Sequence, residues 1–192
     1  GIGALNKDFL KQLIQDIEQR TLPGDYFIFY FAGDGGFDRR TPPDETVVLN
    51  DKNSQHNTSD EFLLVNSNWP FNTDVSDDMV LLDDELRNWL DTPKWNSVNK
   101  WVILDSCYAG GFVDACSAGT PPHLGQCGNH DGDLEMLPKI ALSAAVHEGK
   151  QASQIPKFPF LGGRGLFTDV LLKALRAQSG SSLSDLNLMV KD

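Results

Sequence analysis

Two short apolar runs, each followed by a glycine turn, constrain the fold of this 192-residue chain more than any other feature. Residues 25–32 read DYFIFYFA and lead into GDGG at 33–36, while residues 101–104 read WVIL and lead into DSC at 105–107. Runs this short and this rich in aromatic and β-branched residues predict strands. The first run has hardly a polar residue, so we expect it to be buried on both faces, as strands of parallel sheets are.

Helical patterns alternate with these strands. Asn6 is a typical N-cap for a helix whose apolar residues follow i, i+3, i+4 spacing, namely Phe9, Leu10, Leu13, Ile14 and Ile17. Further helices are predicted at 83–91, 166–177 and 182–190, and short strands at 46–49 and 139–143. The rest of 37–80 and all of 112–136 have the polar, glycine- and proline-rich composition of loops. This alternation predicts one α/β layered domain with a mainly parallel sheet.

Composition narrows the possible partners and the compartment. The formal net charge of −11 and the pI of about 4.6 argue against nucleic acid or an anionic membrane, although a cationic peptide or a divalent cation would suit. No apolar run approaches the roughly 20 residues of a membrane span, and no signal peptide is visible at Gly1. Three cysteines are too few for a disulfide scaffold, so we expect a reducing, cytoplasmic environment.

Cys107 is the first candidate for chemistry, because the pattern places it at the C-terminal tip of the second apolar strand. That edge is where open α/β sheets bind their ligands. The alternative is a free cysteine that serves as a small core hydrophobe. Asp34 follows the first apolar strand in the same way, so the two side chains should face each other if the strands are neighbours.

The two motifs, FYFAGDGG at 29–36 and VILDSCYAGG at 102–111, resemble those of the caspase/metacaspase superfamily of cysteine proteases. In that family the first strand ends in Ser-Gly-His-Gly-Gly and a later one in Asp-Ser-Cys or a close variant. Residues 82–90, 140–144 and 165–175 resemble the family's next helix, next strand and late helix. The resemblance implies a caspase-like fold with a mostly parallel central sheet flanked by helices.

The family's order also implies a division of the chain into a large-subunit-like part at 1–115, an irregular loop at 116–136 and a small-subunit-like part at 137–192. Its first strand and helix would precede Gly1, and its last strands would follow Asp192. The resemblance implies that Cys107 is the nucleophile and that the backbone N–H groups of Gly35 and Cys107 form the oxyanion hole.

Asp34 stands at the position of the family's catalytic histidine. A carboxylate beside Cys107 would disfavour the thiolate and would have no proton for the leaving amine. Three hypotheses follow: Asp34 is a natural or engineered inactivating change, Asp34 takes part through some other chemistry, or another histidine reaches the thiol. The candidates for that last role are His56, His123, His130 and His147.

Asp105 corresponds to the aspartate that helps metacaspases to bind an Arg or Lys side chain before the scissile bond, through charge-assisted hydrogen bonds. Since Asp105 precedes Cys107 by two residues, strand alternation would put both side chains on one face. The alternative is a strand-end carboxylate bonded to backbone amides. No arginine pair suited to an acidic substrate residue is evident, so basic specificity is expected.

Four acidic residues form a candidate calcium site, because carboxylate oxygens are the ligands that this cation prefers. Asp83, Asp84 and Asp114 resemble the calcium-binding residues of several metacaspases in their spacing from the cysteine, and Asp51 could join them. Asp83 is also a natural N-cap for the helix at 83–91.

Four potential metal ligands also lie in the loop at 112–136, where Cys116, His123, Cys127 and His130 have the spacing C-x6-H-x3-C-x2-H. This spacing matches no standard zinc pattern well. Three states of these residues remain open: a zinc site, a Cys116–Cys127 disulfide, and two unpaired thiols.

The family resemblance and the aspartate at position 34 leave two functions to weigh. One is a cysteine endopeptidase that cleaves after Arg or Lys, and the other is a non-catalytic pseudoprotease that binds a peptide or protein.

Overall fold

A computed structural model describes residues 6–37, 61–66, 76–112, 134, 137–145, 151–152, 154–155 and 164–177. Within these ranges no helix has both the length and the apolar character that crossing a bilayer requires. The elements in chain order are α1 (Lys7–Arg20), β1 (Tyr26–Ala32), β2 (Gly35–Phe37), β3 (Glu61–Leu64), β4 (Val80–Leu82), α2 (Asp83–Leu90), β5 (Asn99–Asp105), β6 (Ile140–Ala144), β7 (Gln154–Ile155), β8 (Arg164–Gly165) and α3 (Leu166–Ala177).

Among the described residues the central sheet is parallel and has three strands, with β5 between β1 and β6. The register pairs Ala32 with Asp105 across β1 and β5, and Leu104 with Ala144 across β5 and β6. Parallel neighbours need long crossover connections, and α2 lies in the connection between β1 and β5. The predicted α/β class with a parallel sheet is confirmed, and β6 lies within one residue of its predicted position.

The two faces of the sheet are covered unequally. On one face Phe27 and Phe29 of β1 join Val102 and Leu104 of β5 in the main core, together with residues of α1 and α2 that include Ile14, Leu86 and Leu90. On the other face a smaller cluster forms where Phe167 and Leu171 of α3 pack against Ile103. The helices therefore sandwich β5.

The expectation that β1 is buried on both faces is wrong. Tyr26 is 84% exposed and Ile28 is 58% exposed, whereas Phe27 and Phe29 are buried. In the described sheet β1 lies at the edge, and α3 packs on the neighbouring β5 instead of on the outer half of β1. An unbroken apolar run cannot report this, because its composition is the same whether one face is covered or two.

The expectation of an almost strandless segment between 37 and 80 is also wrong. β2, β3 and β4 form an antiparallel sheet in which Gly36 pairs with Phe62 and Leu63 pairs with Leu81. Each of these strands has only three or four residues, which is too short to show the alternation of apolar and polar residues that identifies a strand. The strand predicted at 46–49, the helix at 182–190 and most of the loop at 112–136 lie outside the described residues.

The helix ends agree with the sequence in α1 but not in α2. Asn6 caps α1, since its Oδ1 accepts a hydrogen bond from the Phe9 N–H at 2.8 Å. Asp83 is the first residue of α2 instead of its predicted N-cap, and Leu82 occupies the cap position. A salt bridge of 2.8 Å between Lys7 and Glu85 ties the two helices together.

Lys100 is a buried cation at the end of β5 far from Cys107. It is only 3% exposed, and its Nζ donates to the carbonyls of Trp95 at 2.7 Å, Val98 at 3.3 Å and Pro138 at 2.8 Å. Burial lowers the pKa of Lys100, the charge of Lys139 lowers it further, and the charge of Asp91 opposes both. Lys100 thus joins the turn before β5 to the turn before β6.

Replacing Lys100 by methionine should destabilise the fold, because three carbonyls around a buried position lose their donor. We expect Lys100→Met to lower the free energy of unfolding by about 2–4 kcal/mol in urea denaturation. The matched control is Lys139→Met, which removes an exposed ammonium that donates to the Ser97 carbonyl at 3.2 Å. Its cost should be below about 1 kcal/mol, and equal costs for the two variants would contradict this role of Lys100.

The pH dependence of stability tests the same residue. The pKa of Lys100 in the folded chain is lowered from its ordinary value of 10.5, so between these two values the unfolded chain binds more protons. The contribution of Lys100 to the free energy of unfolding should therefore rise with pH between its lowered pKa and 10.5, and it should level off above 10.5. Urea denaturation at several alkaline pH values should show the wild type gaining stability relative to Lys100→Met. A gap that narrows as the pH rises would contradict the direction of the shift.

Candidate functional site

The turns that follow β1 and β5 meet at one edge of the central sheet. Ala32 and Asp105 are register partners at the ends of these strands, and the Gly33 N–H donates to the Asp105 carbonyl at 3.3 Å. Gly35 lies directly against the backbone of Cys107, so closely that a methyl group at Gly35 would overlap the Cys107 carbonyl oxygen. The structure therefore brings together the two motifs that the sequence singles out.

Asp34 lies at the surface of this junction, with an exposed side chain. Its carbonyl accepts a hydrogen bond from the Leu64 N–H at 2.9 Å, which begins the pairing of β2 with β3. Because hydrogen bonding alternates along an antiparallel ladder, the following residue, Gly35, directs its N–H away from β3. The pairing of β2 with β3 therefore does not use the N–H of Gly35.

Cys107 lies in the turn beyond β5 as a half-buried free thiol. The strand ends at Asp105, so the expectation that Asp105 and Cys107 share a face of one continuous strand does not hold. Tyr108 has a φ of 58°, in the left-handed region that non-glycine residues seldom adopt. Such conformations persist where surrounding structure enforces them, and they are frequent at functional sites.

Ser106 is buried inside the same turn. It is 1% exposed, and its Oγ has no hydrogen-bond partner among the residues that the structure describes. This oxygen lies beside Gly35, within 3.2 Å of the position that a Cβ there would take. A buried hydroxyl that finds no partner costs free energy, so within the described structure Ser106 is a second unusual feature of this turn beside Tyr108.

Asp105 is held by the first turn of α3. It is 5% exposed, and its Oδ2 accepts hydrogen bonds from the backbone N–H of Thr168, at 3.0 Å, and from the Thr168 hydroxyl. Gly165, just before α3, lies against the carboxylate so closely that a side chain would overlap it. A carboxylate is stabilised at a helix N-terminus. The alternative expected for Asp105, a strand-end carboxylate bonded to a backbone amide, therefore describes its present contacts.

Gly165 and Thr168 are residues of the site that sequence reasoning missed. The late helix at 166–177 was predicted, and a Gly followed by Leu-Phe-Thr is an ordinary helix start. Only the packing of α3 on the sheet shows that its first turn closes over Asp105.

The candidate metal site is only half described. Asp83 is buried and Asp84 is its neighbour at the start of α2, while Asp51 and Asp114 lie outside the described residues. Among the described residues, no group of three or more His, Cys, Asp or Glu side chains could hold a metal ion. The predicted histidine candidates, and the loop residues considered for zinc or a disulfide, also lie outside the described ranges: His56, His123, His130, His147, Cys116 and Cys127.

Comparison with known proteins supports the fold class. No family model matches this chain, and no curated protein matches it. The chain is similar to the crystal structure of protein GSU0716 from Geobacter sulfurreducens, with 18% sequence identity and a TM-score of 0.56. That similarity covers 97% of this chain and 68% of the other. At this level of identity it shows a common mixed α/β fold, a parallel sheet flanked by helices.

The junction at Gly35 can be tested by adding a single methyl group. Gly35→Ala should destabilise the chain by about 1–3 kcal/mol, because the methyl would meet backbone that has little freedom to move. Gly33→Ala is the matched control, since a methyl there meets only the ring of Phe31, which can turn aside. Urea denaturation of both variants should show the larger loss for Gly35→Ala. If Gly35→Ala were as stable as the wild type, the two turns would not be in contact.

Proposed function

We propose that this chain is a cysteine endopeptidase of the caspase/metacaspase type, which cleaves after Arg or Lys and is impaired by Asp34. The observation that carries the proposal is the contact between Gly35 and the Cys107 backbone. This contact joins the two segments that resemble the family's catalytic motifs at the carboxyl edge of a parallel sheet, where α/β enzymes carry out their chemistry.

The proposed caspase-like fold has support beyond the motifs. β1, β5 and β6 are parallel neighbours, α2 precedes β5, and α3 packs on the face opposite α1 and α2. These elements occur in the chain order that the resemblance implies.

In the proposed reaction the thiolate of Cys107 attacks the carbonyl carbon of the scissile bond. A carbon–sulfur bond forms and the carbonyl electrons move onto oxygen, where the N–H groups of Gly35 and Cys107 would stabilise the negative charge. The carbonyl then re-forms as the carbon–nitrogen bond breaks, and the amine leaves with a proton taken from water. Hydrolysis of the resulting thioester by water releases the carboxylic acid and regenerates the Cys107 thiol. The N–H of Gly35 suits this role because it points away from β3.

Asp34 limits this chemistry at two steps. A carboxylate is a weaker base than an imidazole, and in its ionised form it has no proton to transfer to the leaving amine.

Asp105 is the proposed contact for a basic substrate side chain. It lies two residues before Cys107, and its carboxylate is buried, where an interaction with a cation is stronger than at the surface. The net charge of −11 also favours the approach of a cationic peptide.

A second candidate is a non-catalytic pseudoprotease that uses the same edge to bind a peptide or a partner protein. Asp34 favours it, because this residue is where the family's general base would stand. The two candidates share the fold and the binding edge, and they differ in whether bond cleavage follows binding.

Restoring the histidine discriminates between these functions. Fluorogenic peptides ending in Arg or Lys, assayed with and without calcium, should be cleaved slowly or not at all by the wild type. Asp34→His should raise the rate by about 10²–10⁴-fold, the usual contribution of a positioned general acid–base. Asp34→Asn is the matched control, since it removes the negative charge without supplying a base, and its gain should be far smaller.

Cys107→Ala completes the experiment. Any activity of the wild type or of Asp34→His should disappear in this background. Cleavage by the wild type that depends on Cys107 excludes the pseudoprotease, whereas cleavage that survives Cys107→Ala excludes this residue as the nucleophile. A folded Asp34→His variant with no gain in activity would show that Asp34 and Cys107 are not a catalytic pair.

A further inference from the structure

A chain of three hydroxyl and carboxyl groups connects the surface of β1 to the buried Asp105. The hydroxyl of Tyr30 lies 2.8 Å from the Thr168 hydroxyl, which in turn bonds to Oδ2 of Asp105. The Thr168 hydroxyl is the donor in its bond to Asp105. The Thr168 oxygen is then an acceptor, and the Tyr30 O–H donates to it.

Thr168 therefore occupies one oxygen of the carboxylate fully. Its backbone N–H and its hydroxyl both donate to Oδ2, which uses both lone pairs of that atom. Oδ1 accepts no hydrogen bond from any residue in the described part of the chain. Gly165 lies against both oxygens of the carboxylate, whereas the two Thr168 donors occupy Oδ2 alone, so Oδ1 is the oxygen left to accept a hydrogen bond from a ligand.

We propose that Thr168 is a positioning residue that sets the specificity of this site: by occupying Oδ2, it leaves Asp105 a single oxygen with which to bind a basic side chain. The inference rests on the proposed function, in which Asp105 contacts that side chain. A guanidinium binds a carboxylate most strongly through two parallel hydrogen bonds, one to each oxygen. An ammonium is a compact charge that is satisfied by one oxygen. The site should accordingly accept lysine about as well as arginine.

Removing the Thr168 hydroxyl should restore the preference for arginine. Thr168→Val keeps the backbone donor and nearly the same shape but returns one lone pair of Oδ2 to the ligand. Fluorescein-labelled tetrapeptide amides ending in Arg, Lys or citrulline can report binding by anisotropy, which needs no catalytic turnover. Citrulline has the shape of arginine without its charge.

For the wild-type chain we expect Kd values for the Arg and Lys peptides within about threefold of each other, both well below that of the citrulline peptide. Thr168→Val should favour Arg over Lys by about tenfold, the value of one additional charge-assisted hydrogen bond. Thr168→Ser keeps the hydroxyl and should retain the wild-type ratio. Tyr30→Phe removes a hydroxyl of the same network but leaves both bonds to Asp105, so its ratio should also stay unchanged.

The possible results separate this inference from the proposed function. An unchanged Arg-to-Lys ratio in folded Thr168→Val overturns the role of Thr168 and leaves the basic specificity standing. Equal binding of the citrulline peptide and both basic peptides by the wild type overturns the basic specificity itself, and the role of Thr168 with it. If Thr168→Val does not fold, Thr168→Ala removes the same hydroxyl with a smaller side chain. It should show the same preference for the Arg peptide over the Lys peptide.

Discussion

The pairing of β5 with a parallel neighbour on each side is the interaction on which the rest of the structure depends. Its hydrogen-bonding edges are used by β1 and β6, and its two faces are covered by the main core and by α3. Because both edges and both faces of β5 are in contact with other elements, the C-terminal end of this strand is held in place. Asp105 and the turn that carries Cys107 are therefore held in place with it. Lys100 restrains the other end of the strand through three carbonyls.

Departures from ordinary local structure are concentrated in the turn after β5. Tyr108 adopts a left-handed backbone, Ser106 has a buried hydroxyl without a partner in the described structure, and Gly35 leaves no room for a side chain beside Cys107. Folded chains tolerate such features where other contacts compensate, and they are typical of sites where function competes with stability. The same turn carries the motif that resembles a protease nucleophile.

The contacts of Asp105 show why a structural and a functional role need not exclude each other. Oδ2 holds the first turn of α3 against the sheet, which accounts for the burial of the carboxylate. In the proposed function, a carboxylate fixed in this way would lose little conformational freedom on binding a basic side chain through its other oxygen. The first turn of α3 would then couple the packing of a helix to the proposed specificity of the site.

The sequence by itself determined the α/β class and the approximate positions of β1, β5, β6, α1, α2 and α3, because these depend on local composition and periodicity. Only the tertiary structure decided that β1 has an exposed face, that three very short strands form a second sheet, and that Thr168 and Gly165 enclose Asp105. These features depend on which elements become neighbours. Residues 105 and 168 are far apart in the chain, so their contact leaves no local pattern, whereas the glycine-rich segment at 33–36 does.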